Sequence, residues 1–243
     1  MIKLISVIID YENENEITDK LVIIKDKNDV NHLKNSFRVK VNEKIRAVDG
    51  EFEYILNIIE IEKKEIVCEI LEKREDSFSK KTQIDVALGM LKNDKMNLAI
   101  QKLTEIGING IIPYFSKRCI VKINEKKDKW DLISKETLKQ CQGVKFVNIL
   151  EPISLSNIKF EEYDLVIVPY EEDKENNLKN LLKEFQEKPK KILYIIGPEG
   201  GFETGEIEFL KGKGCRIVTL GNRILRAETA AIVVGGVLVN EFE

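Results

Sequence analysis

The chain has 243 residues, of which 43% are hydrophobic and 33% charged, and its net charge is −3. That length can bury a real core in one large domain, or in a small domain plus a medium one, and the balance is that of a soluble globular protein. No apolar run approaches the ~20 residues of a membrane span, and Asp10 and Glu12 interrupt the first apolar stretch too early for a signal peptide. No membrane partner and a cytoplasmic location are therefore expected.

Residues 4–9, 21–25, 44–48, 52–61 and 65–71 are short apolar runs separated by turns, and Asp49-Gly50 between two of them is a hairpin signal. Five short strands with one helical turn near 30–33 predict a small β-barrel over residues 1–72. The polar stretch 72–81 reads as a linker. A second domain, 73–243, begins where strands start to alternate with helices, the pattern of a mainly parallel sheet.

In that second domain the run 84–91 precedes a helix with Asp94 as N-cap. Met96, Ala99, Ile100, Leu103 and Ile106 share one of its faces, and Gly107 ends it. A strand over 110–115 and a helix over 130–141 follow. Residues 165–168 form a strand ending at Pro169-Tyr170-Glu171, and a helix carries Leu178, Leu181, Leu182 and Phe185 on one side. The last helix, 228–240, is apolar nearly all round and contains Gly235-Gly236, so it is expected to be buried.

Two strands, 192–196 and 217–220, empty into loops: Gly197-Pro198-Glu199-Gly200-Gly201-Phe202 and Gly221-Asn222-Arg223-Ile224-Leu225-Arg226. In an open α/β sheet, ligands bind at the carboxyl ends of the strands, and glycine lets backbone approach them closely. Glu199 disfavours an anion there, since like charges at 4 Å in a shielded site repel by about 4 kcal/mol. Neither GxxxxGKS/T nor GxGxxG occurs, so a cationic ligand bearing hydroxyls and a base fits better than ATP or NAD. A tight strand-to-helix turn would have the same spacing.

The cysteines, Cys68, Cys119, Cys141 and Cys215, are widely spaced without CxxC, so free thiols are expected. His32 is the only histidine, which argues against a histidine base at the C-terminal loops and against a metal site. The mild net charge is weak evidence against an RNA partner, but a footprint can be local. Lys34, Arg38, Lys40, Lys44 and Arg46 lie among thirteen residues with one acid, Glu43, and a second basic stretch runs through Lys117, Arg118, Lys122, Lys126, Lys127 and Lys129. Solvated surface gives the same runs.

The paired loops, IGPEGGF and then LGNRILRAETAA about twenty residues on, resemble the cofactor loops of the SPOUT class of methyltransferases. More narrowly they resemble the ribosomal RNA small subunit methyltransferase E family, which makes 3-methyluridine in 16S rRNA. The similarity continues through Lys95-Met96, Gln101-Lys102, Glu105-Ile106-Gly107, Pro113, Ser116 to Cys119, and upstream to His32, Arg38 and Asp49-Gly50. The resemblance implies a PUA-like RNA-binding barrel, a trefoil-knotted SPOUT-like domain and a homodimer acting on 16S rRNA or the small ribosomal subunit.

It also implies S-adenosylmethionine (AdoMet) as cofactor, held by Pro169, Tyr170, Glu171, Ile196, Gly197, Pro198, Gly200, Gly201, Leu220, Gly221, Ile224, Leu225, Thr229 and Ala230. Arg226 is the candidate to stabilise charge on the uracil oxygens, with Glu228 or Glu199 taking the N3 proton or orienting Arg226. An Arg226–Glu228 pair at a helix start would be the plain structural alternative. Lys34, Arg38, Lys40, Arg46, Lys117, Arg118 and Gln140 are the candidate RNA contacts.

The chain departs from the family pattern at Gln142, Gly143 and Val147, at Asn42 and at Asn222. Gly143 replaces a usual Arg and puts one substrate contact in doubt, with Lys145 as a substitute. A ribose 2′-O-methyltransferase of the same class typically carries Ser-Leu-Asn where Leu225 to Thr229 stand here. A non-catalytic RNA-binding module would lack AdoMet affinity, and a nucleotide-dependent oxidoreductase would need the missing dinucleotide fingerprint.

Overall fold

The computed structural model describes residues 4–10, 14–76, 81–121 and 125–242. The chain divides into two compact units, Met1–Ser79 with Leu138–Phe146, and Lys80–Thr137 with Val147–Glu243.

The first unit is built on strands β1 (Ser6–Ile8), β2 (Glu16–Ile17), β3 (Leu21–Ile24), β4 (Lys44–Val48), β5 (Phe52–Ile61) and β6 (Ile66–Glu75), in the sheet order β1-β4-β5-β6-β3-β2. Its ladders are antiparallel except β1 with β4. Alternation along β5 sends Tyr54, Leu56 and Ile58 into a core shared with Val7, Val22, Ile24, Ile45 and Ala47. The expected hairpin is present: Asp49 accepts from the backbones of Glu51 and Phe52, and Gly50 takes φ +97.

Several expectations are corrected here. β2 makes a sixth strand, too short to show a period. β6 runs on through Glu75, so the first residues of the expected linker continue the ladder with β5, while 77–80 lie outside the described residues. The single helical turn is a short helix, α1 (Lys27–Asn31), capped by the Asp26 side chain, continued by a π-helical turn His32–Phe37.

In the second unit β7 (Gln83–Gly89), α2 (Asn93–Ile106), β8 (Gly110–Phe115), α3 (Asp128–Cys141, whose last turn from Leu138 counts with the first unit), β9 (Asn148–Ile149), β10 (Ile153–Ser154), β11 (Leu165–Pro169), α4 (Leu178–Leu182), β12 (Lys191–Ile196), α5 (Thr204–Gly212), β13 (Arg216–Val218) and α6 (Ala227–Phe242) follow one another. The sheet order is β10-β8-β7-β12-β11-β13, with β9 also on β8, and every ladder is parallel. The near-continuous apolar β12, KILYII, is what a central parallel strand covered on both faces requires. None of the helices among the described residues is long and apolar enough to cross a membrane.

Helix α2 ends as expected, Gly107 adopting a left-handed conformation in which its N–H donates to the carbonyls of Leu103 and Thr104. It starts earlier than expected: Met96 N–H bonds the Lys92 carbonyl, which makes Lys92 the cap and puts Asp94 in the first turn, where its charge suits the helix dipole. α4 stops at Leu182, and Phe185 follows in a tighter i+3 turn. The last helix is not buried all round. Ala231, Val234, Gly235, Leu238 and Phe242 face the core, whereas Val233 and Val237 are exposed. A side-chain carbon at Gly235 would meet the Tyr194 hydroxyl at 2.7 Å, and that hydroxyl donates to the Ala231 carbonyl, which seats α6 on β12.

Candidate functional site

Because β11, β12 and β13 are parallel neighbours, the loops that leave them emerge at one edge of the sheet. There they line a cavity of about 210 Å³. Pro169, Tyr170 and Glu171 come from β11. Ile196, Gly197, Pro198, Glu199, Gly201 and Phe202 come from β12, and the segment Thr219 to Ala227, apart from Asn222, comes from β13. Lys95 of α2 and Ala230 of α6 complete the wall.

Hydrogen bonds and close packing fix these loops. The Tyr114 hydroxyl, whose proton burial holds well above its usual range, donates to the Ile196 carbonyl at 3.0 Å. Gly201 closes a turn on the Pro198 carbonyl at φ +70. At Gly89, the end of β7, an added side-chain carbon would meet Pro198 N at 2.5 Å and Pro198 Cδ at 2.8 Å. The Tyr170 phenol, pushed up to about 12 by burial and then by its hydrogen bond to Glu172, stays a donor.

Charge on the wall is mixed: Lys95, Arg223 and Arg226 against Glu171 and Glu199. Lys95 Nζ lies 3.0 Å from Glu199 Oε1, yet both Glu199 oxygens are buried without a hydrogen bond. Arg226 caps α6, its carbonyl accepting from Ala230 N–H, while its exposed guanidinium makes no ion pair with Glu228 or any other described residue.

Three expected site residues lie off this wall, for reasons of helical and loop geometry. Glu228 falls on the stripe of Ala231, Gly235 and Leu238, so it is buried, with Oε2 lacking a hydrogen bond, rather than turned to the cavity. Thr229 lies on the exposed stripe of Val233 and Val237. Gly200 packs against segment 116–119, where a side-chain carbon would meet the Arg118 carbonyl at 2.9 Å.

The expected RNA contacts divide likewise. Arg46 is corrected: it is 4% exposed, ion-paired with Glu53, and bonded to Ser6 Oγ and to the carbonyls of Gln142 and Gly143, so it serves as internal structure. With four of its five N–H donors taken by its own chain and 4% exposure, the guanidinium is out of a phosphate's reach. Lys34 donates to the carbonyls of Glu62 and Lys63 at the β5–β6 turn. Arg38, Lys40 and Lys44 are exposed without an ion pair among the described residues, and Gln140 is exposed on the last turn of α3. Lys117 pairs with Glu203 at 3.2 Å, and Arg118 donates to the Gly200 carbonyl at 3.3 Å. Lys126 and Lys127 are bonded to Asp131 and Asn93, and Lys122 lies outside the described residues.

Lys95 was not foreseen as a wall residue, whereas Phe202, Thr219, Arg223 and Ala227 lie within the two glycine-loop stretches without having been singled out. Lys95 had a signal, as part of the Lys95-Met96 match, and Gly89 had one as a glycine ending an apolar strand. All cysteines are free, and among the described residues no group of side chains has the makings of a metal site.

Residues 78–239 match the family model described as an RNA methyltransferase domain, and residues 24–71 match that of an RNA methyltransferase PUA domain. The chain is 34% identical to the ribosomal RNA small subunit methyltransferase E of Mesomycoplasma hyopneumoniae (strain 232), over 84% of this chain and 87% of that one. It is 30% identical to its counterpart from Rickettsia conorii, over 84% and 83%. Among solved structures it superposes on a ribosomal RNA small subunit methyltransferase E from Neisseria gonorrhoeae bound to S-adenosyl methionine. That match has a TM-score of 0.83 at 25% identity and covers 98% of this chain and 97% of that one.

Proposed function

The chain belongs to the ribosomal RNA small subunit methyltransferase E family, and from that premise we propose that it methylates N3 of a uridine in 16S rRNA with AdoMet as donor. The observation that carries this reading is the cavity where the β11, β12 and β13 loops converge, with the Glu199 carboxylate beside Lys95 on its wall and an Arg226 guanidinium that makes no ion pair among the described residues. Bound AdoMet supplies a methyl group on a sulfonium for in-line displacement, chemistry that asks the protein mainly for alignment.

The wall fits such a ligand. Backbone groups of Gly197, Gly201, Leu220, Ile224 and Leu225 face the cavity and can pair with an adenine edge, while Ile196, Pro198 and Leu225 supply apolar cover. Glu199 offers a carboxylate whose Oε1 is paired with Lys95 and whose Oε2 has no hydrogen bond among the described residues. Uridine N3 becomes nucleophilic when its proton leaves. Arg226 then stabilises the charge that spreads onto the uracil oxygens, and Glu199, which shares the cavity wall with it, takes the proton or orients Arg226.

The N-terminal unit, through Arg38, Lys40 and Lys44, holds RNA phosphates. The exposed Val233–Val237 stripe of α6 supports a homodimer, the order β7-β12-β11 is compatible with a trefoil knot, and the protein works in the cytoplasm. Mass mapping of 16S rRNA from cells with and without the gene tests the reading. Loss of one methyl from a uridine base, at N3, is the expected result. Loss of a ribose 2′-O-methyl, or of none, overturns it.

A further inference from the structure

The π-helical turn His32–Phe37 ends in an unusual piece of backbone. Arg38 and Asn42 both adopt left-handed conformations, φ 53 and φ 70, without being glycine. Such residues are uncommon and cost stability, and π-turns concentrate at functional sites. The conformation is held from below: the N–H groups of Arg38 and Val39 both bond the Leu33 carbonyl, Asn42 N–H bonds the Ile58 carbonyl, and Leu33 and Val39 are buried.

What this backbone presents is two large apolar side chains turned to solvent, Phe37 and Val41, each 48% exposed, alternating with the exposed cations Arg38, Lys40 and Lys44. The His32 ring meets Phe37 edge-on, with centroids 4.6 Å apart and planes at 80°, and so fixes the orientation of the phenyl ring. Folding would bury Phe37 if burial were all that mattered. Instead it stays half exposed, next to a left-handed Arg38 and beside cations that make no ion pair among the described residues.

We propose that Phe37 is a stacking platform for an unpaired base of the RNA substrate, with Arg38 and Lys40 gripping the flanking phosphates and His32 acting as the positioning residue that sets the ring. The inference rests on the reading of the chain as an RNA methyltransferase and deepens it. Cations alone would suit any RNA, but an oriented aromatic face among them favours single-stranded or bulged nucleotides, whose bases are free to stack. Duplex RNA offers no such face.

The test uses the full-length protein with two probes, a single-stranded oligoribonucleotide from 16S rRNA and a fully paired duplex of the same length. Phe37→Ala is expected to weaken single-strand binding on the order of 10-fold, with the slope of log K against log salt unchanged, because stacking releases no counterions. Arg38→Gln and Lys40→Gln are each expected to lower that slope by about 1. Phe37→Trp should keep the affinity, and its fluorescence should quench on binding; the protein's own Trp130 is buried, which keeps the background constant.

Equal loss on duplex and single strand, an unquenched Trp, or no binding of the wild-type chain to either probe overturns the platform. So does a change of oligomeric mass in Phe37→Ala, which would make the patch a contact between copies. AdoMet affinity, measured in parallel, is expected to be unchanged in every variant. If wild-type protein bound RNA through Phe37 yet transferred no methyl group to 16S rRNA, the methyltransferase reading would fail and the platform would stand.

Discussion

The two edges of the parallel sheet treat a buried carboxyl group in opposite ways. At the amino edge, Asp85 on β7 accepts from the Tyr163 hydroxyl at 2.9 Å and from Gln83 Nε2 at 3.0 Å, beside the start of β8 at Gly110. At the carboxyl edge, Glu199 has an ion-pair neighbour in Lys95 but no hydrogen bond to either oxygen. Burial asks the same of both, since an unmet acceptor is costly. At the amino edge neutral donors of the chain satisfy the group, whereas at the carboxyl edge its close neighbour is a charged one, the Lys95 ammonium on the cavity wall.

The largest expected effect tests the carboxyl edge. Arg226→Ala should lower the single-turnover methylation rate about 10²–10³-fold while AdoMet affinity changes little, the loss for removing one stabiliser of a developing oxyanion. Lys should restore little, since a point charge does not reproduce the planar fork. Raising the pH should partly rescue the alanine variant, because solvent then removes the N3 proton. A rate loss explained wholly by weaker AdoMet binding would make Arg226 a structural part of the loop.

Glu199→Gln comes next, with a rate loss of about 10²-fold and an otherwise intact cofactor site. Single-turnover rates and calorimetry separate the outcomes: weakened AdoMet binding at an unchanged rate would assign Glu199 to cofactor recognition instead.

Gly89→Ala probes the support behind the wall. Because the new carbon would meet Pro198 backbone nitrogen, overpacking should cost about 1–3 kcal/mol and lower Tm by roughly 3–10 °C, with AdoMet affinity falling alongside. Unchanged melting and binding would show that the loop yields freely.

The smallest effect belongs to the amino edge. Burial, opposed by its hydrogen bonds, raises the Asp85 carboxyl above its usual value. A carboxyl raised in the folded state contributes stability at low pH that is lost as pH rises through its folded value. Asp85→Asn should therefore remove a decline in stability with rising pH and leave methylation untouched, as thermal melts from acid to neutral would show. A variant that lost activity would bring Asp85 into the site and erase the contrast between the edges.

Periodicity and spacing already located most of the second unit. The central strands, α2 with its Gly107 stop and the two glycine loops follow from local rules that tertiary context did not need to override. The resemblance carried by IGPEGGF and LGNRILRAETAA supplied the cofactor class, which no spacing contains. Short elements escaped: β2, β9 and β10 have two residues each, too few for a period to register.

Residue types therefore determined that the chain makes a parallel sheet with ligand loops at one edge and a basic N-terminal segment. Only the tertiary structure decided which of those residues remain available. Arg46 and Lys40 look alike in a charge run, yet one is buried on internal acceptors and the other is exposed without an ion pair among the described residues. Glu199 and Glu228 look alike beside their loops, yet one turn of α6 carries Glu228 under the helix. The physical reason is that a side chain's chemistry is intrinsic, whereas its unfilled hydrogen bonds depend on partners brought from distant parts of the chain.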